Sequence, residues 1–155
     1  ISNIGLYYAQ PLTEKNVKVK LSDVSVKDWK TVGMPAEAAN AIDGDPQTVW
    51  TAKALTPLVV DMGKASEVIG FSYAPAQKED LTGTIYKYNF YVSIDGKNWT
   101  KCDASGEFSN IMHNPVPYFV RFGKKYPARY FKLEPAAEIN NKPATTVGEV
   151  GILLK

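Results

Sequence analysis

Asp43, Gly44 and Asp45 stand together in the stretch Asn40-Ala41-Ile42-Asp43-Gly44-Asp45-Pro46-Gln47-Thr48-Val49-Trp50, and the hydroxyl of Thr48 follows closely. Carboxylates, a hydroxyl and the carbonyls of a tight loop are what a hard cation such as Ca²⁺ requires, since it gathers about six to eight oxygen ligands. Gly44 permits the sharp turn, and Pro46 stiffens its exit. The loop is not an EF-hand, because it lacks the third oxygen ligand and the bidentate Glu that closes one. Alone, Asp-Gly-Asp is more often a solvated turn held by Asx hydrogen bonds, so both readings stand at this point.

The remaining reactive residues do not assemble a catalytic set. Hydrolysis of a glycosidic bond usually needs two carboxyl groups flanking it. Here the Asp and Glu residues lie in turns such as Asp95, in the acidic loop, or scattered. One histidine and one cysteine cannot build a Ser-His-Asp, Cys-His or multi-His arrangement. Cys102 reads as a small apolar filler on a strand, and His113, in a polar loop, as surface. No Gly-rich phosphate loop is present either. The chain reads as non-catalytic.

The 155 residues, 45% hydrophobic, suffice for one ordinary core and are too few for two. Nine Tyr, six Phe and three Trp, with ten Pro and eleven Gly, suit short strands and tight turns. A net charge of +2 with lysines spread along the chain offers no footprint for nucleic acid. No apolar run reaches the length of a membrane span. Residue 1 is Ile rather than Met, which predicts a segment of a longer protein, a monomer by itself.

The elements that must hold the acidic loop are almost all strands. Val17–Leu21 alternates apolar and polar, and Pro57–Met62 and Glu67–Tyr73 are apolar runs separated by Gly63-Lys64-Ala65-Ser66. In Thr84–Ile94, residues Tyr86, Tyr88, Phe90, Val92 and Ile94 recur at period two. Asp95-Gly96 closes that strand as a hairpin turn, and Trp99–Cys102 starts the return. Val116–Phe122, Tyr130–Glu134 and Thr146–Leu154 follow, while Pro35–Ala41 can form one turn or a short helix, nothing longer. Many short strands with turns between them predict an all-β sandwich or barrel. Residues 1–21 read as a connector or extra edge strand, and 22–155 as the compact domain.

Asn40–Trp50 closely resembles the "NAIDGDxxTxW" signature of the discoidin domain, also called the coagulation factor 5/8 type C domain. The likeness continues through Pro57–Gly63 (PLVVDMG), Tyr91–Trp99 (YVSIDGKNW), Ala128–Leu133 (ARYFKL) and Val147–Ile152 (VGEVGI), in the family's order. It implies a jelly-roll β-sandwich of about eight main strands. In the bacterial family 32 carbohydrate-binding branch it also implies a structural Ca²⁺. The ligands carried over by motif are the carbonyls of Asn40, Asp45 and Gly148, the carboxylates of Asp43 and Glu149, and Thr48. Glu149 fits this role because a carboxylate within an apolar terminal strand is costly to bury without a partner; a Glu149 facing water is the alternative. By the same resemblance Trp29, Trp50 and Trp99 occupy core positions.

The sugar site implied by the family is altered here. Galactose-binding relatives resemble one another in a His directly after the loop tryptophan, an Arg in a Y-x-P-R-Q segment, and an aromatic before the last strand. This chain has Thr51, Ala76 (in Tyr73-Ala74-Pro75-Ala76-Gln77) and no aromatic over Ala136–Thr145. Glu37, Thr51, Lys53, Gln77, Lys78 and Asn141 remain as candidate sugar contacts, with Glu79 and Asp80 beside them; polar loop residues of this sort are more often solvated surface than ligands. Gly106–Ile111 and Thr84–Tyr88 resemble the C-terminal discoidin domains of bacterial β-N-acetylhexosaminidases (chitobiases) and α-L-fucosidases. The expectation is a calcium-stabilised carbohydrate-binding module of a secreted bacterial glycosidase, periplasmic or at the cell surface. Its partners are a hexosamine-, galactose- or fucose-containing glycan and the parent's catalytic domain. The alternative is a structural domain that packs on the catalytic domain and binds no sugar. A lipid- or protein-adhesion role fits less well: one cysteine allows no internal disulfide, and Thr51–Ala54 carries no aromatic spike.

Overall fold

The computed structural model describes residues 20–45, 48–76, 81–102, 106–108, 111 and 116–154. Its strands are β1 (Lys30–Thr31), β2 (Trp50–Ala52), β3 (Leu58–Ala74), β4 (Ile85–Ser93), β5 (Thr100–Lys101), β6 (Gly106–Glu107), β7 (Tyr118–Glu138), β8 (Thr145–Val147) and β9 (Glu149–Leu153). A short 3-10 helix covers Ala36–Ala41, within the short helical stretch expected there. Sheet pairing is antiparallel between all of the strands.

Three boundaries differ from the reading of the sequence. Pro57–Met62 and Glu67–Tyr73 belong to one bent strand, β3, and Val116–Phe122 and Tyr130–Glu134 to another, β7. Thr146–Leu154 instead divides at Gly148 into β8 and β9. The expected strand at Val17–Leu21 lies mostly outside the described residues, and Lys20 and Leu21 are not in a strand.

The long strands pair with each other and bulge twice. Met62–Ala65 on β3 opposes Arg129 alone, and Phe122–Lys125 on β7 opposes Ile69 alone. Bulges bend a strand and raise its twist, which carries β3 and β7 from one layer of the sandwich into the other. The first layer runs β1-β3-β7-β4-β5, with β6 also on β4. In the second, Gly70–Tyr73 of β3 lies between β9 and Tyr118–Arg121 of β7.

The inner faces meet in an aromatic core. Phe71 of β3 stacks on Phe90 of β4 at 4.2 Å between ring centroids, and Phe108 stacks on Tyr73 at 4.9 Å and on Tyr88 at 4.6 Å. Trp29 and Trp50 are buried in this core, as expected. Trp99 is not. It lies half-buried, and the Lys132 ammonium sits 4.7 Å from its ring centroid and 4.7 Å from that of Tyr91. Tyr91 and Lys132 are register partners flanked by the core residues Phe90, Val92, Phe131 and Leu133, so this ladder stands on the outer face. Ile94 also departs from the period-two pattern: β4 ends at Ser93, and Ile94 is 52% exposed.

One buried hydroxyl ties the sandwich to its loops. The Tyr73 phenol donates to the Thr146 carbonyl at 2.8 Å and accepts from the Ile85 N–H at 3.0 Å. Burial pushes its pKa well above the ordinary tyrosine value. Tyr73→Phe leaves both backbone groups unpaired and costs about 1–3 kcal/mol, measurable by urea unfolding. A variant as stable as the parent would show that these two groups find other partners.

Candidate functional site

The acidic loop follows the 3-10 helix, where Gly44 takes the left-handed conformation at φ 81°. Asp43 Oδ1 accepts the Asp45 N–H at 2.9 Å, and Asn40 Nδ2 donates to the Val49 carbonyl at 3.2 Å across the loop. The Thr48 hydroxyl sits among three oxygens: the Asn40 carbonyl at 3.2 Å, the Asp45 carbonyl at 2.8 Å, and Asp43 Oδ2. A hydroxyl has a single proton to donate, so it cannot satisfy all three.

Glu149 reaches this cluster from the first residue of β9. Gly148 makes the approach possible: its N–H donates to the Ala74 carbonyl at 2.8 Å, and a Cβ there would lie 2.8 Å from that oxygen. Glu149 is 2% exposed, not facing water. Its Oε2 accepts the Gly44 N–H at 2.8 Å, while its Oε1 is buried with no hydrogen-bond partner. Burial pushes the carboxyl pKa up to about 8; the Gly44 N–H opposes the rise, and the carboxylates of Asp43 and Asp45 add to it. Among the described residues no three His, Cys, Asp or Glu side chains converge as a metal group. A cation here would therefore depend on hydroxyl and carbonyl oxygens besides Asp43 and Glu149. Such an all-oxygen set fits Ca²⁺ and not a thiophilic metal. Five of the six residues expected as ligands (Asn40, Asp43, Asp45, Thr48 and Glu149) are thus brought together through named contacts. Gly148 adjoins them through the backbone.

The candidate sugar contacts are not gathered in the same way. Thr51 and Lys53 are exposed on and just after β2, and Glu37 is exposed on the 3-10 helix. None of these lines the depression of about 280 Å³ that Asn141 shares with Leu55, Glu138 and Lys142. Gln77 and Lys78, with Glu79, Asp80 and His113, lie outside the described residues. Two walls of the depression are fixed from beneath. The Thr145 hydroxyl donates to the Ala54 carbonyl at 2.8 Å and accepts the Thr56 N–H at 2.9 Å. Glu138, buried, accepts the N–H groups of Asn140, Lys142 and Gly83 at 2.6, 2.9 and 2.8 Å. Reading the sequence missed Leu55, Glu138 and Lys142. The one available signal was Glu138, an acidic residue ending an otherwise apolar run.

Comparison with known proteins places this geometry. The F5/8 type C domain family matches residues 20–150, and the chain belongs to that family. A domain of the same fold is the module CBM32-5 of Clostridium perfringens, in complex with GalNAc-β-1,3-galactose, with a TM-score of 0.71, 21% identity and coverage of 84% of this chain and 99% of that one. The C-terminal domain of a chitobiase from Bacteroides fragilis shares the fold at a TM-score of 0.69 and 22% identity, over 84% of this chain and 95% of that one. A Bacteroides ovatus protein assigned as an α-L-fucosidase is 35% identical over 96% of this chain, with a TM-score of 0.67, and this chain covers 22% of it. Among curated proteins, galactose oxidase of Gibberella zeae is 29% identical over 143 residues, 84% of this chain. The chain spans about a fifth of that relative's length, 20%.

Proposed function

We propose that the domain is a non-catalytic carbohydrate-binding module, held by a structural calcium ion, that brings a secreted glycosidase to its glycans. The observation that carries the reading is the loop-end depression. Leu55, 40% exposed, offers an apolar face, Asn141 and Lys142 offer polar groups, and buried Glu138 and Thr145 fix the backbone around them. A small ligand such as a sugar is held by that combination of apolar contact and a few directed polar groups. A fold neighbour's complex with GalNAc-β-1,3-galactose supports the same ligand class. Tethering such a module to a catalytic domain raises the local concentration of active site at the glycan. The likeness to the Bacteroides ovatus protein supports a glycoside hydrolase as the parent; an extracellular or cell-surface setting goes with that reading.

Calcium would be held by the carboxylates of Asp43 and Glu149, the hydroxyl of Thr48, and the carbonyls of Asn40, Asp45 and Gly148. The ion supplies charge neutralisation and a bridge between the acidic loop and β9. The support for it is the unpartnered Oε1 of Glu149 and the crowd of oxygens around Thr48.

Titrating ¹⁵N-labelled domain with GalNAc-β-1,3-galactose, galactose, N-acetylglucosamine and fucose tests the sugar site. At least one of them is expected to shift the amides of residues 53–56 and 136–142, with micromolar to millimolar affinity. Silence from all four would leave the structural alternative, a domain that packs on the catalytic domain without binding sugar. Ala76 favours that alternative: it is 2% exposed, at the position where galactose-binding relatives resemble one another in an arginine.

A further inference from the structure

A second depression lies at the other end of the sandwich, between the β4–β5 hairpin and the bulge of β7. It measures about 380 Å³ and is walled by Ile94, Asn98 and Thr100 on one side and by Lys124, Lys125 and Pro127 on the other. The bulge creates it. Phe122–Lys125 opposes Ile69 alone, so β7 carries extra chain here and presents Lys124 and Lys125 exposed beside the hairpin. Bulges of this kind re-aim side chains and recur next to functional sites.

The chemistry of the walls is selective. The lining holds two lysines, Lys124 and Lys125, against one carboxylate, that of Asp95. Asp95 is already committed: Oδ1 accepts the N–H groups of Lys97 and Asn98 at 2.8 Å each and the Ser93 hydroxyl at 3.1 Å, and Oδ2 accepts from Asn98 Nδ2 at 2.8 Å. Neither lysine forms an ion pair among the described residues; the Lys124 ammonium lies 5.2 Å from the Tyr126 ring centroid. Ile94 adds an apolar surface that β4 leaves outside the core.

We propose that this depression is a second saccharide site, one that takes an anionic pyranose, a sugar ring bearing a carboxylate or sulfate. The ring lies against Ile94 and Pro127, its charged group is drawn by Lys124 and Lys125, and its hydroxyls meet Asn98 and Thr100. The volume suits one or two sugar rings; an extended acidic peptide would need a longer groove. The site is separate from the loop-end depression. That one adjoins Glu138, the partner of Ile85 at the start of β4, and this one adjoins Ser93 at its end. The nine residues of β4 put roughly 27 Å between them.

The test is a ¹⁵N titration at low salt with galacturonate, galactose 6-sulfate, neutral galactose and sodium sulfate. Either anionic sugar is expected to shift the amides of residues 93–100 and 124–126, and the stronger of the two identifies the acid group. Lys124→Gln/Lys125→Gln, with an unchanged thermal midpoint, weakens that binding about ten-fold, the equivalent of about 1.4 kcal/mol. The proposal is overturned if both anionic sugars leave these amides unmoved, if galactose moves them equally, or if sulfate alone reproduces the full shift. Unaltered binding by the folded double variant would also overturn it. Amides 53–56 and 136–142 report the loop-end site independently, so failure of one reading is distinguishable from failure of the other.

Discussion

Stripping the domain with a strong chelator is expected to lower its thermal midpoint by about 5–10 °C, and calcium to restore it. A ligand bound only by the folded state and present at a hundred-fold over its dissociation constant contributes about 2.7 kcal/mol. In a domain of this size each kcal/mol moves the midpoint by about 2–4 °C. Magnesium is expected to substitute poorly, because a loop rich in carbonyls and irregular in shape suits the flexible coordination of calcium. The calcium-free protein should also respond to pH in a characteristic direction. The Glu149 carboxyl pKa is raised to about 8 in the folded state against an ordinary 4.5, so between those values the folded form holds the proton and the unfolded form does not. Stability of the calcium-free domain therefore falls as pH rises from about 4.5 to about 8. Bound calcium would keep the carboxylate ionised and flatten this dependence. Glu149→Gln removes the charge while keeping the Gly44 contact available. It should abolish the calcium response and spare the calcium-free protein its loss at pH 8. A midpoint that ignores chelator, calcium and pH alike would show that the oxygen cluster holds no cation.

Phe71→Ala is expected to cost about 3–5 kcal/mol. Phe71 is fully buried on the second layer and touches rings from the first: Phe90 stacked at 4.2 Å, Tyr88 edge-on at 5.3 Å and Phe108 at 6.3 Å. Removing it takes away buried apolar area and leaves a cavity that two sheets, held by their own hydrogen bonds, cannot close. Urea unfolding reads the loss directly as a lower midpoint at unchanged slope. Phe71→Leu should recover most of it, since it refills much of the volume. If Phe71→Ala instead cost less than about 1 kcal/mol, the two layers would not be packed through this ring.

Much of this arrangement was legible along the chain. The inward side chains of Tyr88, Phe90 and Val92 follow from alternation, because a strand must turn successive residues to opposite faces. The hairpin at Asp95-Gly96 and the helical turn near Ala36–Ala41 follow from local turn chemistry. Asp43, Asp45 and Thr48 stood out as an oxygen-rich turn because they lie within one short loop, and Glu149 because a lone acid in an apolar strand calls for a partner; their grouping as candidate calcium ligands came from the resemblance to the discoidin signature. Ile94 was misplaced because alternation continues only as far as the strand, and β4 ends at Ser93; Trp99 was misplaced because the resemblance assigned it a core position, whereas here it lies half-buried beside Lys132 on the outer face.

The order of residue types by itself determined that this polypeptide is all-β, which face of β4 turns inward, and that an oxygen-rich turn sits before Trp50. Local stereochemistry and side-chain alternation act over a few residues, so a linear reading reaches them. Only the folded arrangement decided that Glu149 meets Gly44 across more than a hundred residues of chain, that β3 and β7 bulge to cross between layers, and that Lys124 and Lys125 border a depression with Ile94. Those outcomes depend on register between distant strands, which is set by the packing of the whole core and has no local signature.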